Sequence, residues 1–198
     1  MILAMLSGGI DSVGMVYSLL KAGERLHIHH IEIENEENRT VVENVAVKNV
    51  LAYLKSVNLT NFEYTTSKVT GPTINGNFLY DSDIVNFFAG FICSSNKNIK
   101  KVALGIVKED LKLLSSPRIQ RANAMLQLFT GVEKIHPMKE YSKKELYDML
   151  PQELKDTVWS CRTPKYEDNY AKPCNSCYTC GQMKKLSIVQ RDLLLDVI

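Results

Sequence analysis

Ile2-Leu-Ala-Met-Leu6 followed by Ser7-Gly-Gly-Ile-Asp-Ser12 is the stretch that decides the fold. A short apolar run that ends in a Ser/Gly turn reads as a buried strand. The amphipathic segment from about Asp11 to Leu20 then reads as a helix. The turn lies where an open parallel sheet places its ligand crevice. Two glycines let backbone N–H groups approach a phosphate, and the helix start adds unpaired donors and partial positive charge. Ser7 and Ser12 add hydroxyls, and Asp11 is a carboxylate suited to magnesium beside phosphate oxygens. The Lys of the Gly-x-x-x-x-Gly-Lys loop is missing. The bland alternative is a tight turn with a Ser or Asp helix cap.

Outward from this turn, strand-like and helix-like segments alternate. Leu26 to Ile33 has period two and reads as a second strand. Val42, Ala46, Val50 and Leu54, flanked by Val47 and Leu51, make the apolar stripe of a long helix. Asn61 to Thr66 reads as a strand, 70–77 as a loop, and Asp83 to Ser94 as a helix capped by Asp81, Ser82 or Asp83. Lys101 to Val107 reads as a fourth strand. Pro117 opens a helix with Ala122, Met125, Leu126 and Phe129 on one side. Glu133 to His136 reads as a fifth strand. Ser142-Lys-Lys-Glu145 has capping-box spacing and starts a helix with Leu146 and Met149 inward. The pattern predicts an α/β fold: a parallel sheet of about five strands with helices on both faces. The 198 residues read as a single domain, with an appendage from about 157 to 198 that is cysteine-rich and then helical to the end.

Composition excludes several classes. Apolar residues at 45% and charged residues at 23% are ordinary for a globular domain, so disorder is not expected. The net charge of +2 gives no basic footprint for direct nucleic-acid binding. Residues 100–198 carry 17 basic against 12 acidic side chains, a mild bias that helps attract an anion. No stretch approaches the roughly 20 apolar residues of a membrane span, and no targeting segment is visible. A cytoplasmic location with reduced cysteines is therefore expected.

Four of the five cysteines, Cys161, Cys174, Cys177 and Cys180, follow the spacing C-x12-C-x2-C-x2-C. The short gaps let thiolates converge on one ion and the long loop returns the fourth, as in a closed tetrahedral zinc site. An iron–sulfur cluster uses the same ligands, and disulfides are the remaining alternative. Cys93, in an apolar helical stretch, reads as a buried small residue. His27 and His29 share one face of their strand and His30 the other, with no carboxylates or cysteines that suggest a metal.

Ser7-Gly-Gly-Ile-Asp-Ser12 matches the Ser-Gly-Gly-x-Asp-Ser signature of the PP-loop ATP pyrophosphatases. With the cysteine cluster, the chain resembles the 7-cyano-7-deazaguanine synthase (QueC) family. The matching stretches are Thr157-Val-Trp-Ser-Cys161, Pro173-Cys-Asn-Ser-Cys-Tyr-Thr-Cys180, Ala103 to Asp110, Ile135-His-Pro-Met138 and Ser142-Lys143. The resemblance implies a Rossmann-like, adenine nucleotide alpha-hydrolase-like fold. It also implies use of ATP, Mg2+ and Zn2+, and ligase chemistry. A 7-carboxy-7-deazaguanine carboxylate would be adenylated and converted with ammonia, through the amide, to the nitrile. Ser7, Gly8, Gly9, Asp11 and Ser12 would hold pyrophosphate and magnesium, with Asp11 and Ser12 closest to the chemistry. Asp110 and Arg118 would lie on the substrate side, and a homodimer is implied. The chain departs from the family at Glu32-Ile-Glu-Asn35, Tyr80-Asp-Ser-Asp83, Asn175 and Gly181-Gln-Met183. Those departures touch segments expected around the substrate, so a related acceptor is a further reading. Other readings are a PP-loop enzyme that activates a nucleic-acid base, as a tRNA thiolase does, and a non-catalytic nucleotide-binding partner.

Overall fold

Ile2–Met5 form the central strand β1, buried along its whole length. Ile2 and Ala4 face one helical layer while Leu3 and Met5 face the other. A strand covered on both faces has no polar alternation to show, which is why this run is continuously apolar. The computed structural model describes residues 1–71, 73–74, 77–78 and 80–195. After β1 come α1 (Ile10–Lys21), β2 (Leu26–Glu34), α2 (Thr40–Ser56) and β3 (Phe62–Thr70). A small antiparallel strand pair, β4 (Thr73–Ile74) and β5 (Asn77–Phe78), precedes α3 (Asp81–Ser95) and β6 (Lys101–Ala103). A 3-10 turn at Lys108–Asp110 runs into α4 (Leu111–Leu114), followed by α5 (Pro117–Phe129), β7 (Glu133–Ile135), α6 (Lys143–Met149) and α7 (Gln152–Lys155). The last segment holds β8 (Lys165–Glu167), β9 (Tyr170–Lys172), α8 (Tyr178–Lys185) and β10 (Leu193–Leu194).

The main sheet has five strands in the order β3-β2-β1-β6-β7, all parallel. Helices α1, α2 and α6 pack on one face through Val13, Val50, Leu54 and Leu146. Helices α3 and α5 cover the other through Ile84, Ala89 and Leu126. The α/β, Rossmann-like expectation therefore holds. The chain order reverses between β1 and β6, and the crevice beyond the carboxyl ends of those strands is where such sheets bind ligands. The turn after β1 and the segment after β6 meet there.

The stripe on α2 is as expected, with Val42, Ala46, Val50 and Leu54 fully buried. Ser142 and Glu145 form the reciprocal capping box at α6. Several expectations are corrected. β6 stops at Ala103 rather than Val107. Its continuation leaves the sheet because Gly105 must pass against α1, where an added Cβ would lie 2.8 Å from the Asp11 carbonyl carbon and the Ser12 nitrogen. Tyr80, not an Asp or Ser, occupies the N-cap position of α3; Asp81 is drawn instead to Arg39, 2.8 Å away. Met149 is half exposed and Phe129 partly exposed, whereas Leu146, Ala122 and Leu126 are buried. Of the loop expected at 70–77, Thr70 belongs to β3 and Thr73, Ile74 and Asn77 to paired strands, while residues 72, 75 and 76 lie outside the described residues.

Among the described residues the segment after the cysteines is not all helix: α8 ends at Lys185 and β10 follows at Leu193–Leu194. With β9 and β8 this strand forms a three-stranded antiparallel sheet, β10-β9-β8. Trp159, Cys161, Ala171, Cys180 and Leu193 pack with Val42 and Ala46 of α2 in a third apolar cluster. Among the described residues no helix is long and apolar enough to cross a membrane.

Candidate nucleotide site and cysteine centre

Gly8 has φ +81°, and a Cβ there would meet the Ala46 Cβ at 3.0 Å. Both the left-handed conformation and the close approach of α2 demand glycine. Its carbonyl accepts a hydrogen bond from the Trp159 N–H at 2.9 Å, which ties the turn to the C-terminal segment. The Ser7 N–H donates to Ser12 Oγ at 3.1 Å, and Ser12 Oγ donates to the Gly9 carbonyl at 3.1 Å. The two serine hydroxyl oxygens are also 3.1 Å apart. Gly9 is the N-cap residue of α1, and no side chain caps this helix. The bland cap reading therefore fails: neither Ser7 nor Asp11 serves as the cap. The first-turn N–H groups are left for a ligand, with the positive end of the helix dipole behind them.

Asp11 enters this turn from α1, and Lys143 reaches it from the start of α6. Lys143 Nζ lies 2.5 Å from Asp11 Oδ2, and both side chains are largely buried. The backbone N–H of Lys143 donates to both Glu109 carboxylate oxygens, at 3.1 and 3.0 Å, which fixes the start of α6 against the 3-10 turn. Burial pushes the Asp11 carboxyl above its ordinary range, against the pull of the adjacent Lys143 ammonium. Asp11 Oδ1 is buried without a partner. An orphaned carboxylate oxygen beside open helix N–H groups fits a hard divalent cation that arrives with phosphate.

A cavity of about 560 Å³ opens over this turn. Ser7, Gly9, Asp11, Ser12 and Arg118 all line it, so the structure gathers most of the expected residues around one space. Gly8 sits behind the turn and Asp110 lies in the adjoining 3-10 turn; neither lines the cavity. Arg118 donates to Ser82 Oγ at 3.2 Å, and its guanidinium lies 4.7 Å from the centre of the Tyr80 ring. Lys143, His136 and Gly105, which fall within the stretches quoted for the resemblance but were given no individual role there, line the cavity together with Lys134, which lies outside those stretches. Period two along β7 was the available signal for Lys134 and His136, since residues two apart share a sheet face.

Arg39 and Arg162 edge the same cavity. Arg39 binds Glu43 at 2.7 Å and Asp81 at 2.8 Å, while Arg162 binds Glu37 at 2.8 Å and Asp81 at 3.2 Å. Arg162 directly follows Cys161, so this network couples the cysteine segment to the starts of α2 and α3.

The four thiols of Cys161, Cys174, Cys177 and Cys180 lie within 4.8 Å of one another. A tetrahedral ion with sulfur ligands at about 2.3 Å needs sulfurs about 3.8 Å apart, so the cluster fits zinc with small adjustments. The Cys177 and Ser176 N–H groups donate to Cys174 Sγ, the Cys174 N–H to Cys161 Sγ, and the Cys180 N–H to Cys177 Sγ. Gln190 donates to Cys180 Sγ at 3.4 Å. Such donors stabilise thiolate charge. Asn175, where the resembled family has glycine, sits at φ +58°, a left-handed position that asparagine tolerates.

The strand histidines are held by hydrogen bonds within the fold, and among the described residues they belong to no metal-ligating group. His27 and His29 share Thr65 Oγ1 at 2.7 and 2.8 Å, while His30 contacts the Leu6 carbonyl and Asn44. Burial, with His27 and His30 adding to it, pushes His29 down to about 4. The unfolded chain therefore takes up this proton near pH 6.5, and the folded chain only near 4. Stability from His29 is present above about pH 6.5 and is lost as the pH falls towards 4. The expected loss is about 2 kcal/mol after allowance for solvent screening. Urea unfolding at pH 7 and pH 5 measures it, and His29→Gln should reduce the difference; an unchanged pH slope in that variant would refute the assignment.

Residues 1–72 match the family model described as thiamine biosynthesis protein (ThiI). The match spans β1 to the end of β3 and contains the whole Ser7–Ser12 turn. No curated protein matches the chain. The matched segment supports placement in the PP-loop superfamily of ATP-using enzymes and does not extend to Lys143, Arg118 or the cysteines.

Proposed function

We propose that the protein is an ATP-dependent carbon–nitrogen ligase of the 7-cyano-7-deazaguanine synthase type. The observation that carries this reading is the uncapped Ser7–Ser12 turn at the sheet's switch point, with the buried Asp11–Lys143 pair beside it and one cavity shared with Arg118. The first-turn N–H groups, the serine hydroxyls and Lys143 would hold the β- and γ-phosphates. A substrate carboxylate oxygen attacks the α-phosphorus, and the bond to the bridging oxygen breaks, releasing pyrophosphate. Donors already in place for the leaving group's charge lower that barrier. Ammonia then attacks the acyl carbon and AMP leaves, giving the amide and a proton. A second ATP adenylates the amide oxygen with release of a second pyrophosphate, and loss of AMP and the two N–H protons yields the nitrile. Asp11 would hold the magnesium that accompanies the phosphates.

The test is a mass-spectrometric product assay with ATP, magnesium, ammonium and 7-carboxy-7-deazaguanine. Amide or nitrile appearing with AMP is the expected result. AMP without either product would mean a stalled adenylate or a diverted activation, and no AMP at all would mean another substrate or a non-catalytic partner.

A base-thiolating PP-loop enzyme is the second reading, because the matched family model covers the phosphate turn but not Arg118, Lys134 or the cysteines. It requires a reactive cysteine outside the metal cluster. Cys93 is the remaining cysteine; it is 2% exposed and burial pushes its thiol up to about 11. A thiol so held is a poor nucleophile, so the ligase reading is preferred.

A further inference from the structure

We infer that the compartment between the sheet and helices α3 and α5 seats the acceptor, and that Lys134 with Arg118 selects a flat molecule bearing a carboxylate. This rests on the carboxylate-ligase reading and names the residues that would choose its substrate.

The charges around the cavity single these two out. Lys143, Arg39 and Arg162 are each paired with a carboxylate. Among the described residues, Lys134 and Arg118 line the cavity with no carboxylate partner. Lys134 Nζ donates to Asn86 Oδ1 at 3.0 Å and to Asn123 Oδ1. An ammonium has three donors, so one remains for a ligand. Arg118 is anchored on Ser82 Oγ, and Asn86 Nδ2 donates to the Ser82 carbonyl at 2.7 Å. Ser82 and Asn86 are one helical turn apart on α3 and both line the cavity, so this one helix anchors both cations at neighbouring turns. Burial pushes Lys134 down to about 8, the mark of a cation held without a counter-charge. A bound carboxylate supplies one.

The rest of the compartment suits a flat ring. Met5 and Leu104 give apolar walls. His29 Nε2 and His136 Nδ1 are buried without partners, and both side chains line the same cavity. Burial lowers both imidazoles below their ordinary value, so they are neutral and each ring can donate or accept. Buried ring nitrogens left unpaired are costly. A heterocycle with N–H and C=O groups on its edge satisfies them.

Binding tests this apart from catalysis. Calorimetric titration of the zinc-loaded protein would use 7-carboxy-7-deazaguanine, with indole-3-carboxylate and indole-3-carboxamide as class probes and ATP as control. Wild type is expected to prefer each carboxylate to the carboxamide by at least tenfold. Lys134→Met should lose at least tenfold in carboxylate affinity with ATP affinity within twofold, and Lys134→Arg should retain most of the affinity. Lys134→Gln, which keeps polar contact with the asparagines, serves if the Met variant is unstable. Unchanged carboxylate affinity in a folded Lys134 variant, no preference for carboxylate, or no carboxylate binding would each overturn the inference. Lys134-dependent binding of indole-3-carboxylate, with no AMP formed from 7-carboxy-7-deazaguanine, would defeat the proposed substrate and sustain the compartment.

Discussion

Lys143→Met is expected to lower AMP formation by about 100- to 1,000-fold, the usual cost of removing one prearranged donor from a charge-stabilising site. Lys143 is 2.5 Å from Asp11 and is carried by a helix whose capping box and Glu109 contact fix its start. In the proposed reaction it would present its charge to incoming phosphates without rearrangement. Breaking a buried pair also destabilises, by about 3–5 kcal/mol when the abandoned charge has no relief. Here relief exists: burial already pushes the Asp11 carboxyl upward, so it takes up a proton when Lys143 is gone.

The two effects separate in a double-mutant cycle. Asp11→Asn added to Lys143→Met removes the unpaired carboxyl and should restore thermal stability. Because Asp11 is also the proposed magnesium ligand, activity is not expected to return, and the phosphate role is read in Lys143→Met itself as its affinity for pyrophosphate without magnesium. A loss of about tenfold or more is expected if Lys143 faces the phosphates. Activity of Lys143→Met within tenfold of wild type, or unchanged pyrophosphate affinity, would show the phosphate role to be wrong.

Lys143 also marks the boundary of what was legible in the sequence. The β1 turn, the α2 stripe, the α6 capping box and the cysteine spacing are local patterns, each written within twenty or so residues, and each folds as read. The Asp11–Lys143 pair joins residues 132 positions apart, and no periodicity encodes it. Lys134 and Asn86 are likewise 48 apart. Their meeting depends on which strands neighbour one another and which face each helix covers. The end of β6 was misread because the apolar run to Val107 carries no stop signal except Gly105, whose reason is steric contact with α1. The C-terminal sheet was missed because strands of two or three residues show no alternation.

Removing the metal from the cysteine centre is expected to cost several kcal/mol, since a structural zinc's binding energy is folding energy. For a chain of this size that lowers Tm by about 10 °C or more. The effect should also reach the nucleotide site, 150 residues away in sequence, because three links run through the cysteine segment. Trp159 N–H holds the Gly8 carbonyl at 2.9 Å, Arg162 holds Glu37 and Asp81, and Trp159, Cys161 and Cys180 pack on Val42 and Ala46 of α2. Ala46 in turn supports Gly8, whose Cα environment leaves only 3.0 Å between a Cβ and the Ala46 side chain. Without an ion, four thiol groups within 4.8 Å no longer share a common partner, and the segment loses its closure. Chelation with reporter-dye quantification should release one zinc per chain and weaken ATP binding in parallel with the fall in Tm. Cys174→Ser should do the same without chelator. Iron on elemental analysis would reassign the centre to a cluster while keeping its structural role. Metal-free protein with Tm within about 3 °C of the loaded form would mean that the cysteine segment folds unaided and that the phosphate turn does not depend on it.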